Sequence, residues 1–126
     1  MTPRTLLMIA AASGLLAVAL GAFGAHGLKS VVSADLLGVY QTGVQYQFYH
    51  TLALAFTGLL WLQFPKAGLL GWAGALFTLG MVLFSGSLYA LVLLGTRGIG
   101  LITPLGGLAF MVGWLLLLLA ISRQVR

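Results

Sequence analysis

The chain has 126 residues, of which 61% are hydrophobic and 6% are charged, and its formal net charge is +5. A soluble domain carries about 25% charged residues, so this composition excludes an ordinary water-soluble fold and makes lipid the main solvent of a single domain. The six basic residues stand between apolar runs and form no patch, so we expect no nucleic-acid partner.

Four apolar stretches follow one another along the chain, over about residues 5–25, 43–64, 69–94 and 102–121. Each is long enough for the ~20 residues with which a helix crosses the hydrocarbon core. The runs are continuous rather than alternating, which favours helices over strands. We therefore predict an all-α integral membrane four-helix bundle, a single transmembrane domain over residues 1–126. The first run exceeds the apolar centre of a signal peptide, so we expect a retained span.

The segment between the first two stretches is predicted to be helical. Ser33 is a typical N-cap, and Asp35 adds a carboxylate to the first turn, where the helix dipole favours negative charge. Apolar residues then recur at helical spacing, at Leu36, Leu37, Tyr40 and Val44. We predict a short interfacial helix between spans one and two, which lies in the headgroup layer and bends inward at Gly38 or Gly43.

The basic residues also predict the orientation. Four spans place both termini and the middle loop on one side, with Arg4, Lys66, Arg123 and Arg126. The other side receives Lys29 and Arg97, together with Asp35. Because cytoplasmic loops carry the excess of lysine and arginine, we expect both termini in the cytoplasm.

Polar side chains concentrate at the start of the second stretch, between residues 40 and 51. At 100° per residue one stripe comprises Gly43, Tyr46, His50 and Thr57, with Gln47 at its edge. A second stripe comprises Gln41, Gln45 and Tyr49. Two such stripes cannot both face hydrocarbon, so some of these side chains must contact protein, water or headgroups.

His50 has two interpretations, and both stay open. It is either a proton-responsive or ligand-contacting group, or a neutral histidine that holds helices in register through a tyrosine or a carbonyl. Its candidate partners are Tyr46, one turn back, and Ser85 and Tyr89 from another helix. His26 ends the first span on the same side. Two histidines and one loop carboxylate fall short of the usual zinc ligand sets, so we expect no metal or other cofactor.

Catalysis is not expected. The chain has no cysteine and no glutamate, and its one aspartate lies in a loop. Paired carboxylates, a phosphate-binding loop and a nucleophile–base–acid set are therefore lacking, and a proton-coupled carrier would need an acid within the membrane. Small residues recur on one face of the first span and of the last, which predicts close helix contacts within the bundle or between copies of the chain.

Four segments carry a resemblance to a known family. They are LGAFGAHGLK at 20–29, TGVQYQFYHTLA at 42–53, FSGSLY at 84–89 and ITPLGG at 102–107. Together they resemble the domain-of-unknown-function 423 family of small membrane proteins. The resemblance implies a four-span protein of the bacterial inner membrane and supplies no catalytic residues. Its signature includes His26, Gln45, Gln47, Tyr49, His50, Ser85 and Tyr89.

The function we expect is non-enzymatic binding of a lipid, a small amphiphile or a membrane protein partner. The predicted binding residues form an outer-side polar cluster of His26, Gln45, Tyr46, Gln47, Tyr49 and His50. The predicted structural polar contacts are Asp35, Ser85 and Tyr89. Two alternatives stay open: a small channel or facilitator, which requires a continuous polar path, and a structural or assembly subunit, including a homo-oligomer.

Overall fold

The computed structural model describes residues 1–126 apart from the side chain of Arg97. The use of Arg97 in predicting the orientation therefore lies outside the described residues. The chain is all-α. Its helices are α1 (Pro3–His26), α2 (Ala34–Gln63), α3 (Gly68–Gly80), α4 (Gly86–Leu94) and α5 (Ile102–Gln124). A π-helical segment, Met81–Ser85, joins α3 to α4, and we call the whole unit Gly68–Leu94 the composite helix. Short 3₁₀ turns precede α2 and α5.

Three helical stretches of the described chain are long and apolar enough to cross a membrane: Pro3–Ser30, Gly68–Leu94 and Gly98–Gln124. They correspond to the first, third and fourth predicted spans. α2 is not among them, because its polar residues between Gln41 and His50 lower its hydropathy. The prediction of a multi-pass helical membrane protein is confirmed, whereas the count of four spans stays a prediction for α2.

The separate interfacial helix was a wrong prediction. Ser33 does cap a helix, since its hydroxyl accepts from the Leu36 amide at 3.2 Å, but this helix continues without interruption to Gln63. Gly38 and Gly43 both remain helical. No proline interrupts the segment, and glycine is tolerated inside membrane helices where it lets a neighbour approach. At Gly43 that neighbour is Tyr89, whose ring would lie 2.9 Å from an added Cβ.

The helices run alternately up and down. α1 and α2 are antiparallel, because Gly21 faces Val44, Gly14 faces Thr51 and Leu7 faces Gly58. The composite helix packs against both α2 and α5. α1 meets it at Leu6 and Gly74, near the end where both helices begin.

Small residues make the closest helix contacts, as predicted. On α5, Gly106 lies against the backbone of Phe84 and Gly113 lies against the ring of Phe77. Close approach increases van der Waals contact between the helices. In lipid this contact drives helix association, because apolar side chains gain no hydrophobic free energy by leaving the lipid. The largest buried cluster links α1, α2, the composite helix and α5; its members include Leu6, Leu54, Leu70, Phe77, Phe110 and Leu117.

Candidate functional site

A hydrogen-bonded cluster occupies the side of α2 that faces α1 and the composite helix. Gln47, which is buried, donates from Nε2 to the Ser13 carbonyl at 3.1 Å and to Ser13 Oγ at 3.2 Å. Its Oε1 accepts from the Tyr89 hydroxyl at 2.6 Å. Ser13 Oγ also lies 2.7 Å from Thr51 Oγ1. We call Ser13, Gln47, Thr51 and Tyr89 the amide cluster; it joins three helical units.

A cavity of about 480 Å³ lies directly against the amide cluster. It lies between α1 and the composite helix, beyond their contact at Leu6 and Gly74, where Ser13 Oγ still contacts Met81 Sδ at 3.6 Å. Its walls include Leu16 and Val82, whose exposed fractions are 55% and 64%, so it is open at the side. We call it the lateral groove; its lining residues are Ile9, Ala12, Ser13, Leu16, Leu20, Gln47, Thr78, Met81, Val82, Gly86 and Tyr89.

An aromatic cluster lies on another side of α2, toward α5. The His50 ring stacks on Phe110 with centroids 3.5 Å apart and planes 10° from parallel. Trp114 Nε1 donates to His50 Nε2 at 3.0 Å, and His50 Nδ1 lies 2.8 Å from the Tyr46 carbonyl oxygen. Phe77 completes the enclosure, with its centroid 5.7 Å from that of His50.

These contacts fix the state of His50. The indole N–H can only donate, so Nε2 must accept, and the single proton of a neutral ring must reside on Nδ1, where it is donated to the Tyr46 carbonyl. Both nitrogens are therefore engaged within the protein, and neither is directed at a ligand. The geometry favours the interpretation that His50 holds α2 and α5 in register.

Replacing His50 by phenylalanine is expected to lower the free energy of unfolding by about 0.6–1.7 kcal/mol, the range of one interhelical hydrogen bond in a membrane. The new ring keeps the stacking on Phe110 but gives Trp114 no acceptor. Denaturant unfolding in detergent micelles measures the change. Tyr49→Phe is the matched control: Tyr49 is 54% exposed, so loss of its hydroxyl should change stability by less than ~0.5 kcal/mol. Equal losses in both variants would contradict the proposed hydrogen bond.

The six predicted binding residues do not form one cluster. Gln47 points to α1 and Tyr89, and His50 points to α5. Tyr46 packs on Phe84, with centroids 4.7 Å apart, and its ring also lies 6.1 Å from that of His50 and 5.7 Å from that of Tyr49, so these three predicted residues are neighbours. The remaining three are exposed: Gln45, Tyr49 and His26, the last at the end of α1. Their roles in binding stay predictions.

The predicted structural contacts have separate outcomes. Ser85 Oγ donates to the Gly43 carbonyl at 2.7 Å, and the Tyr89 hydroxyl donates to Gln47 Oε1. Neither residue bonds His50, for which both were candidate partners. Asp35 is exposed in the first turn of α2, and its contact stays a prediction. Within the described residues, no group of three or more His, Cys, Asp or Glu side chains could hold a metal ion.

Two contributors were missed by the sequence analysis. Ser13 is the one hydroxyl-bearing residue between Thr5 and His26, and that isolation within an apolar run was a usable signal. Trp114 was assigned no polar role, since indole is common as a packing group. Only the tertiary structure, in which side chains of α2 and α5 meet, places its N–H opposite His50.

Comparison with known proteins identifies relatives along nearly the whole chain. UPF0382 inner membrane protein YgdD of Escherichia coli is 44% identical over 127 residues, which cover 100% of this chain and 95% of the relative. UPF0382 membrane protein YwdK of Bacillus subtilis is 44% identical, covering 93% and 95%. UPF0382 membrane protein SAB0533 of Staphylococcus aureus is 40% identical, covering 93% and 94%. No solved structure matches the chain significantly.

The family model described as "Protein of unknown function (DUF423)" matches residues 20–107. This range includes α2 and the composite helix, and thus Gln47, Tyr89 and His50. The names of the relatives and three membrane-length apolar helices agree on a multi-pass protein of the bacterial inner membrane. The chain therefore belongs to the DUF423 family.

Proposed function

We propose that this protein is a non-enzymatic, four-span membrane protein that binds the apolar chain of a lipid or single-chain amphiphile in the lateral groove. The observation that carries the proposal is the groove itself. At about 480 Å³ it falls within the ~300–1,000 Å³ of typical ligand sites. Its lateral opening would let a chain enter from the surrounding bilayer without crossing an aqueous phase.

The chemistry of the groove supports an apolar occupant rather than a headgroup. Most of its wall is aliphatic, including Ile9, Leu16 and Val82. The polar groups on its floor already bond one another, and no buried side-chain nitrogen or oxygen of the described residues lacks a partner. A ligand headgroup would therefore have to compete with bonds such as Tyr89 to Gln47, whereas an acyl chain would gain dispersion contacts at no such cost.

The position of α2 beside α1 supports the proposal that α2 also spans the membrane. Tyr40 donates to the Leu20 carbonyl, and Gly58 lies against Leu7. Between Tyr40 and Gly58 the helix rises about 27 Å, close to the ~30 Å hydrocarbon thickness. If α1 crosses the membrane, α2 would cross beside it, because its one buried amide side chain, Gln47, finds partners inside the protein.

Gly86 offers a test of the groove. It lines the groove, and a Cβ added there meets no atom within 4 Å. Gly86→Leu should therefore fill the groove without disturbing the fold. The measurement is photo-crosslinking to a phosphatidylethanolamine that carries a diazirine in one acyl chain, with crosslinks mapped by mass spectrometry. We expect crosslinks to Ser13 and Thr78 in the wild type and a severalfold loss in Gly86→Leu.

The control is Gly38→Leu, since an added Cβ at Gly38 also meets nothing within 4 Å and Gly38 lies outside the groove. This variant should crosslink like the wild type. Unchanged crosslinking in Gly86→Leu, or crosslinks confined to exposed residues such as Leu15, would show that lipid only surrounds the protein and would reject the proposal.

A further inference from the structure

A second cavity lies where α1 and α3 begin and α2 ends. Its volume is about 310 Å³, and its lining residues are Met1, Trp61, Gly68, Gly71, Trp72 and Ala75. The edge of the Trp61 ring would lie 2.8 Å from a Cβ added at Gly71, and Trp72 is 68% exposed. Tryptophan commonly resides at the headgroup level of a bilayer, so the cavity lies at the depth of lipid headgroups.

Two basic residues adjoin this cavity along the chain. Lys66 and Arg4, both exposed, follow closely on the chain from residues beside it: Lys66 precedes Gly68 by two positions, and Arg4 follows Met1 by three. α5 ends on the same side, because it runs antiparallel to the composite helix, with Gly106 against Phe84 and Gly113 against Phe77. The only acidic side chain of the protein is Asp35, in the first turn of α2 at the opposite end. We call this end the basic end and the cavity the basic-end pocket.

We infer that the basic-end pocket binds an anionic glycerophospholipid of the adjoining leaflet. Lys66 and Arg4 would attract its phosphodiester, and the indoles of Trp61 and Trp72 would contact the glycerol and the upper acyl chain. Basic pockets between membrane helices bind anionic headgroups in this way. The site is separate from the lateral groove in position and in chemistry, because it selects by charge.

Charge also argues against two other possible occupants of the basic-end pocket, a second copy of the chain and a zwitterionic lipid. A second copy of the chain would bring the same cations to a two-fold contact at this end, and like charges placed opposite one another oppose association. A zwitterionic lipid presents its own cation beside the phosphate and thus loses much of the attraction. An anionic lipid suits both the apolar cavity and the two cations that adjoin it along the chain.

The test uses the full chain in neutral detergent, with phosphatidylglycerol and phosphatidylcholine as probes and native mass spectrometry to measure bound lipid. We expect phosphatidylglycerol to be bound preferentially. Lys66→Gln should weaken its binding about fivefold, and Arg4→Gln should do the same, the effect of one basic residue near an anionic lipid. Gly68→Leu should block the pocket at constant charge, because a Cβ at Gly68 meets no atom within 4 Å.

Matched variants separate a site from general positive charge. Arg126→Gln removes one cation from the same end and should leave binding unchanged, because Arg126 adjoins no residue of the pocket along the chain. Gly86→Leu should also leave it unchanged, so that failure of the lateral groove and failure of this pocket are distinguishable. Equal binding of the two lipids, an equal loss in Arg126→Gln and Lys66→Gln, or displacement of phosphatidylglycerol by inorganic phosphate alone would each overturn the inference.

Discussion

Replacing Gly106 by leucine is expected to abolish folding of the bundle, whereas the same substitution at Gly107 is expected to be tolerated. A Cβ at Gly106 would overlap the backbone nitrogen of Phe84, and backbone cannot move aside as a flexible side chain can. A Cβ at Gly107 would lie 3.9 Å from Phe84 Cδ2, an ordinary van der Waals distance. Because the two glycines are adjacent on α5, the two leucine variants are closely matched in helix propensity and in depth in the membrane.

The effect arises from the way that helices associate in lipid. Without a hydrophobic driving force between helices, α5 is held by close packing against the composite helix. A leucine at Gly106 would separate the two helices along their contact. A single methyl in Gly106→Ala should already cost about 1–3 kcal/mol, the usual cost of overpacking.

Size-exclusion chromatography in detergent and denaturant unfolding measure this difference. We expect Gly107→Leu to elute as the wild type does and Gly106→Leu to aggregate or to be lost on purification. Comparable stability of the two variants would mean that α5 does not approach the composite helix at Phe84, and the packing described above would be incorrect.

The second large effect is a labelling pattern that depends on whether α2 crosses the membrane. The chain contains no cysteine, so single cysteines can be introduced at Ser30, Gln63 and Gln124, which are all exposed. With four spans and a cytoplasmic N-terminus, a membrane-impermeant maleimide should label position 30 in intact spheroplasts. Positions 63 and 124 should react only after the membrane is permeabilised.

A three-span arrangement gives a different result at two positions. If α2 stays on the outer surface, position 63 remains on the side of position 30, and the two following spans return position 124 to that side as well. All three positions would then react from outside. An inside-out chain with four spans would instead label 63 and 124 but not 30, which would reverse only the orientation.

The helices predicted from the sequence agree best with the structure in the most apolar segments. The runs predicted over 5–25 and 102–121 correspond to α1 and α5, with boundaries that differ by at most three residues. Hydropathy determines these helices locally, because a backbone in lipid must bond within itself. The π-helical segment Met81–Ser85 had no such signal, since its residues are as apolar as their neighbours.

The polar residues of α2 were harder to place. Their concentration between residues 40 and 51 correctly indicated contacts inside the protein, and Gln47 and His50 are buried. The sequence could not assign their partners, because Ser13, Tyr89 and Trp114 are 34, 42 and 64 residues away from them along the chain. The side chains of Gln47 and His50 differ by about 60° in direction around the axis of α2. Gln47 therefore contacts α1, and His50 contacts α5.

The amino-acid sequence by itself determined the solvent, the helical class and the basic end of this protein, because composition and charge act on each segment separately. Only the tertiary structure decided that α2 is one unbroken helix, that its polar side chains separate into two clusters, and that a groove opens between α1 and the composite helix. These features depend on which helices touch and at which small residues, and such contacts are absent from the one-dimensional pattern.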